Sequence, residues 1–354
     1  MTQRTIDPEA LGRLVEQAVG DFGSVLNAAL VVIGDRLGLY RRLSELGSAT
    51  SAELAAATGT VERNVREWLS AQAATGFVTY DGDGRWSLSP EQEEAFTNDD
   101  SPAFLCGGFQ VVTAAGKADE KITDAFRRGG GLGWHEHHHD LFEGTERFFR
   151  PGYAASLITD WLPSLSGVVE KLGAGGRVAD VGCGHGASTI LMANAFPNST
   201  FSGFDYHGPS IEAAGAAAAK TGVTSNASFA VASAAAFPGD GYDLICYFDC
   251  LHDMGDPVGA LRHALSTMAA DGVVMLVEPA AGDTVEENLN PVGRLFYAAS
   301  TLICTPASQS QHVGLALGAQ AGFERLSQVA AEAGFTRVRR AAATPFNLVL
   351  ELRR

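Results

Sequence analysis

Residues Val178 to Thr189 read VADVGCGHGAST. With Arg177, the run Val178-Ala179-Asp180-Val181 is short and apolar enough for a buried parallel strand. Gly182, Gly184 and Gly186 follow at alternate positions, and Ala187 to Ala195 is a good helix former. Glycine lets the backbone take positive φ and approach a ligand closely. The N-terminus of the helix that follows offers free N–H groups to an anion. The stretch therefore suits a ligand with a carboxylate, phosphate or ribose. A tight strand-to-helix turn that holds nothing is the alternative, because spaced glycines alone are weak evidence.

Working outward, the chain from about Gly173 alternates strand and helix patterns. Strands are expected at 177–181, 200–204, 227–232, 242–248, 272–278, 335–341 and 345–352. That alternation spells an α/β fold with a Rossmann-like, seven-stranded, doubly wound sheet. Pro345 and the short link before it suit an antiparallel last strand, at the edge or in the interior. Ligands on such sheets sit beyond the carboxyl ends of the strands. Those ends carry the glycine turn, then Asp205-Tyr206, Ser233-Ala234, Phe248-Asp249 followed by His252-Asp253, and Glu278-Pro279. An acid about 20 residues after the glycines, here Asp205, can accept hydrogen bonds from a ribose diol.

Before the sheet, apolar residues recur at three and four from Leu11 to Leu37, the face of a long helix or helix pair that needs a partner. Thr50-Ser51-Ala52-Glu53 is a capping box opening a helix over 53–57, and Thr60 can cap a second over 61–75. Phe77 to Tyr80, Asp81-Gly82-Asp83-Gly84 and Arg85 to Leu88 read as strand, turn, strand. This is a winged helix. DNA binding is disfavoured, because Glu62 and Glu67 offset Arg63 and Arg66 and the wing tip carries Asp81 and Asp83. Three parts follow: a winged-helix-like dimerisation domain (1–98), a helical connector and pocket lid (99–170), and the sheet domain (171–354).

The 25 basic and 41 acidic residues leave a net charge of −16, which repels polyanions. The apolar runs read as too short for a membrane span, and the start MTQRTIDPEALGRL lacks the apolar core of a signal peptide. Five cysteines without a CxxC pair read as reduced, which suits the cytoplasm. The segment Trp134-His135-Glu136-His137-His138-His139-Asp140 invites a metal reading, but adjacent histidines do not easily face one ion; a loop near the pocket is the better expectation, and no metal is assigned.

The spacing of glycine turn, ribose acid and later polar strand ends resembles the class I S-adenosylmethionine methyltransferases. A dinucleotide oxidoreductase is the rival, but its GxGxxG places the third glycine one residue later than Gly186. The resemblance implies that Asp180 supports the turn, that Gly182 and Gly184 line the methionine end, and that Asp205 holds the ribose. It further implies that Tyr206 packs on the adenine, that Ser233 and Ala234 meet its edge, and that Phe248 and Asp249 complete the donor site. Winged helix, connector and catalytic domain together resemble the dimeric small-molecule O-methyltransferases. The stretches VGCGHGAST, GFDYHGPSIE, FDCLHDMGDPVGA, NLNPVGRLFYAASTLICTPAS and LGAQAGFERL resemble a family of actinobacterial methyltransferases. The implied partners are a small, aromatic or hydroxylated acceptor and a second copy of the chain.

In the plant-type enzymes a His-Asp pair after the fourth strand supplies the base, and an acid at the end of the fifth orients it. By resemblance these are His252-Asp253 and Glu278. A positioned imidazole typically contributes ~10²–10⁴-fold to proton transfer, and a carboxylate fixes its tautomer. The chain departs from that pattern twice: Gln320 stands near the position of a second acid, and Phe248 where a lysine is usual. His252 could instead cap the helix that begins near Asp256. Two alternative functions fit the same architecture: metal-assisted carbon methylation of a keto acid, with His252, Asp253 and His312 as ligands, and a donor-binding transcriptional regulator.

Overall fold

A computed structural model describes residues 6–354; Met1 to Thr5, part of the start read above, lie outside the described residues. The chain divides into two compact units, one up to Thr113 and one from Ala114 to Arg354.

The first unit opens with a 29-residue helix, Pro8–Arg36, whose Asp7 side chain accepts from Glu9 N and Ala10 N. Its C-terminal part is anchored by buried Ala28, Val31 and Val32, while Leu11, Leu14, Val15, Val19, Phe22, Val25 and Leu26 stand between 49% and 72% exposed. The helix is continuous, so it is long and apolar enough to cross a membrane by length and composition alone. Core helices of soluble proteins meet the same two criteria, so this helix does not by itself place the chain in a membrane.

Helices Leu39–Leu46, Ser51–Thr58 and Glu62–Thr75 then pack with β1 (Ser48–Thr50), β2 (Thr79–Gly82) and β3 (Arg85–Ser87), in the order β1-β3-β2. The Thr50–Glu53 capping box is present, and its helix starts at Ser51. Thr60 is not a cap: Val61 holds that position without a side-chain bond, and the Thr60 hydroxyl meets that of Thr58 at 2.8 Å. β2 starts two residues later than expected, because the Phe77 and Val78 amides close the preceding helix on Gln72 O and Val78 is buried. Arg63 pairs with Glu67 at 2.5 Å and Arg66 with Glu62 at 3.3 Å, each along one helix face.

The second unit holds β4 (Arg177–Val181), β5 (Thr200–Asp205), β6 (Ala227–Val231), β7 (Tyr242–Phe248), β8 (Met268–Pro279), β9 (Arg337–Ala343) and β10 (Asn347–Arg353). They form one seven-stranded sheet ordered β6-β5-β4-β7-β8-β10-β9. β4 to β8 pair in parallel, while β10 runs antiparallel between β8 and β9. The interior position of β10 suits its residues: Leu348, Val349, Leu350 and Leu352 are all buried, and buried Glu351 pairs with Arg339 and Arg353. β9 carries Arg337, Arg339 and Arg340 and sits at the edge, where charge hinders pairing with another strand. The direction of winding reverses between β4 and β7, which opens a crevice at their carboxyl ends.

Candidate active site

The glycine turn is built mainly by packing. At Gly182, with φ 76°, a Cβ would stand 2.7 Å from Cys250 Sγ; at Gly186, with φ 79°, it would stand 2.7 Å from the Phe229 ring. Gly184 differs: its φ is 52°, and a Cβ there would meet nothing within 4 Å. Gly184 is thus the glycine that faces open space. Beneath it, Asp180 is 1% exposed, and its Oδ2 accepts from Ser188 and Thr189 hydroxyls at 2.6 Å each. Burial raises the Asp180 carboxyl to about 6 against those two bonds. Its Oδ1 is buried without a hydrogen-bond partner.

Asp205 ends β5 and ties the next strand to the turn. Its Oδ2 accepts from Gly184 N at 3.0 Å and its Oδ1 from His207 N at 2.8 Å. Each oxygen keeps a second lone pair for a ligand hydroxyl. Burial raises its pKa above the usual carboxylate range. Tyr206 beside it is 47% exposed and meets the His135 ring edge-on at 6.4 Å. The Ala232 amide bonds Asp205 O at 2.9 Å, which sets the Ser233-Ala234 loop alongside.

A cavity of about 600 Å³, its open mouth included, lies against the turn. Gly182, Cys183, Gly184, His185, Phe248 and Asp249 line one side; Trp134, Phe142, Thr145, Glu146, Phe149, Arg150 and Tyr153 line the other. The second group comes from helix Asp140–Ser156 and the turn before it. From that helix Phe149 and Tyr153 reach the cavity with Arg150. Glu146 went unnoticed, although its spacing of four from Arg150, at 3.1 Å, was readable. Asp249, with φ 48°, accepts from Tyr153 OH at 2.8 Å and from Asn347 Nδ2 at 3.1 Å. Burial, with Glu278 nearby, lifts it to about 7.

His252 and Glu278 lie deeper, at 3% and 1% exposure. Glu278 Oε1 accepts from Leu251 N at 3.0 Å, and its Oε2 pairs with His252 Nδ1. The other ring nitrogen, Nε2, is 3.1 Å from Asp253 Oδ1. Burial pulls the imidazole pKa down, but the charges of Glu278 and Asp253 outweigh it and leave it well above its usual value. Asp253 thus stands on the opposite side of the ring from Glu278. Helix Pro257–Thr267 is capped by Asp256, whose Oδ1 accepts from Gly259 N at 2.7 Å, so His252 is not its cap. His312 is exposed, and the third group at His252 is Cys304. In the histidine segment, Lys117 Nζ lies 2.6 Å from Asp140 Oδ2, which gives that acid a cation already.

Residues 172–321 match the family model of a methyltransferase domain, and residues 26–98 that of a Rv2258c-like winged HTH domain. The fold is shared with mitomycin 7-O-methyltransferase MmcR (19% identity, 98% of this chain and 100% of that one, TM-score 0.70). It is shared also with NcsB1, an O-methyltransferase from neocarzinostatin biosynthesis solved with S-adenosyl-L-homocysteine and 1,4-dihydroxy-2-naphthoic acid (20%, 95% and 98%, 0.61). A third is human N-acetylserotonin methyltransferase solved with S-adenosylmethionine (16%, 99% and 99%, 0.69). No curated protein matches the chain by sequence. The fold and the domain match define an enzyme with a methyltransferase domain preceded in the chain by a winged helix. Its methyl donor is S-adenosylmethionine, and the open space at Gly184 and the unpartnered Asp180 Oδ1 fit such a ligand.

Proposed function

We propose that the protein methylates a hydroxyl of a small, aromatic or hydroxylated molecule, with His252 as proton acceptor and Glu278 as its positioning partner. The observation that carries this is the buried His252–Glu278 pair at the carboxyl ends of β7 and β8, next in the sheet to the donor-binding ends of β4 and β5. MmcR is named as an O-methyltransferase, and NcsB1 is solved with a dihydroxynaphthoic acid, which supports a hydroxyl acceptor.

The bound donor supplies a methyl group activated by a sulfonium. The chain's residues do the rest. Asp205 engages the ribose hydroxyls, Gly182 and Gly184 border the methionine end, and Asp180 braces the turn through Ser188. Tyr206, Ser233 and Ala234 flank the adenine, and Phe248 and Asp249 close the cradle at β7. Helix Asp140–Ser156 lines the cavity with Phe149, Arg150 and Tyr153. Holding acceptor and methyl in line supplies the main rate gain. His252 then takes the hydroxyl proton from its Nε2 side, while Glu278 holds Nδ1–H and balances the imidazolium. No metal enters this scheme.

The exposed apolar face of helix Pro8–Arg36 supports a homodimer formed through residues 1–98. The five free cysteines support a cytoplasmic, reducing setting. The test is a methyl-transfer screen against phenols, followed by His252→Ala on the best acceptor. The variant should bind donor normally and turn over ~10²-fold more slowly or worse. Turnover at the native rate would remove His252 as the base.

A further inference from the structure

Methyl transfer through a His–Glu pair has no use for Cys304, yet the fold brings this thiol to His252. Cys304 ends the π-helical turn Ser300–Cys304, set between helices Pro291–Ala299 and Thr305–Gln309. A π-turn inserts one residue, and each residue rotates a helix by about 100°, so this insertion decides which way Cys304 faces. The thiol is 7% exposed and stands against both His252 and Asp253.

A ring nitrogen of His252, a carboxylate oxygen of Asp253 and Cys304 Sγ all lie within 4.8 Å of one another. Nε2 and Oδ1 are 3.1 Å apart. Two ligands of a tetrahedral ion with bonds of ~2.1 Å stand roughly 3.4 Å apart, so little movement is needed. Asp253 Oδ1 is buried and makes no hydrogen bond, although it faces the ring. Glu278 holds Nδ1, which leaves Nε2 as the atom turned toward the two other donors. Imidazole, carboxylate and thiolate together suit zinc-class ions. A carboxylate behind a ligating imidazole is the usual support for such a ligand.

We infer that His252, Asp253 and Cys304 bind a thiophilic divalent cation of the zinc class, and that the bound ion takes the ring nitrogen the proposed base needs. Binding forms one bond each from nitrogen, oxygen and sulfur. The thiol proton, and any proton on Nε2, leaves to solvent, and no group changes oxidation state. Three protein ligands leave a fourth position for water or an oxygen of the acceptor. The ion therefore blocks His252 as a proton acceptor. Only this blocking rests on the proposed function; the site itself does not.

The experiment titrates chelator-dialysed, full-length protein with Co²⁺. The expected result is one ion per chain with a thiolate-to-cobalt absorption band, lost on adding Zn²⁺. Cys304→Ser should abolish the band, and Asp253→Asn and Glu278→Gln should each weaken binding roughly tenfold or more. Calorimetric binding of S-adenosyl-L-homocysteine reports that each variant is folded, and Asp253→Asn carries the test if Cys304→Ser is not. Absence of a thiolate band, or a band that survives Cys304→Ser, would overturn the site. Cobalt binding with no inhibition of methyl transfer by Zn²⁺ would keep the site and remove His252 from the base role.

Discussion

Gly184 and Gly186 stand two residues apart and serve different ends, which substitution by alanine should separate. At Gly186 the new methyl meets the Phe229 ring at 2.7 Å in a left-handed backbone. Overpacking of ~1–3 kcal/mol then adds to a left-handed penalty of ~1–2 kcal/mol. A thermal melt should show a marked loss. Gly184→Ala carries only the backbone penalty, since its methyl enters open space. Its melt should change less, while calorimetry shows weaker donor binding. Native donor affinity in Gly184→Ala would mean that the donor does not lie on this turn. Asp205→Ala removes both a ligand acceptor and the bond that holds Gly184 N. A loss of ~1.5–3 kcal/mol, or about ten- to hundredfold in Kd, is expected; unchanged affinity would count against the ribose assignment.

At His252 the sign of the pH effect follows from its neighbours. The proton acceptor is the neutral ring, and burial, outweighed by Glu278 and Asp253, leaves the ring pKa raised. Turnover should therefore climb with pH on the alkaline side of neutrality. Glu278→Gln removes one of the charges that raise it, so the limb should move to lower pH while the maximum rate falls. The limb belongs to the coupled group rather than to one residue. A Glu278→Gln profile that falls in height without moving would assign Glu278 a purely structural part.

Elements set the limits of what single residues can do. The helix Pro8–Arg36 presents Val15, Val19 and Phe22 to solvent, at 54%, 61% and 66% exposure. A face this apolar is covered in a stable protein, and a second copy of the helix matches it in kind. Val19→Glu with Phe22→Glu should give a monomer in sedimentation with donor binding intact, because the donor site lies in the second unit. A native chain that sediments as a monomer at micromolar concentration would contradict the proposed dimer. In the sheet, the strand pattern from Gly173 onward was legible to within two residues at every strand but β8, since parallel strands buried on both faces read as short apolar runs. β8 extends four residues before its expected start, where Met268 pairs with Tyr242. The winged helix was legible through its capping box and its Asp-Gly turn, while Thr60 misled because cap preference says nothing about which residue the chain turns at.

Across the whole molecule, a net charge of −16 and two arginines already paired on their own helix argue against nucleic acid. A gel shift at low salt, where such binding is strongest, should show no retardation; a salt-sensitive shift would reopen the regulator reading. The pairing of His252 with Glu278 was implied by a family resemblance, while the sequence by itself determined the order of elements, the glycine turn and the acid at Asp205. Those features are written in local periodicity and in fixed offsets from strand ends, which survive without knowledge of packing. Tertiary structure decided the rest. It set β10 inside the sheet and Cys304 against His252. It turned Asp253 to Nε2, and joined Asp249 to Tyr153 and Asn347 across separations of 96 and 98 residues. Such contacts depend on how loops and helix turns meet in space, and a side chain's direction there is set by burial against distant partners rather than by its neighbours in the chain.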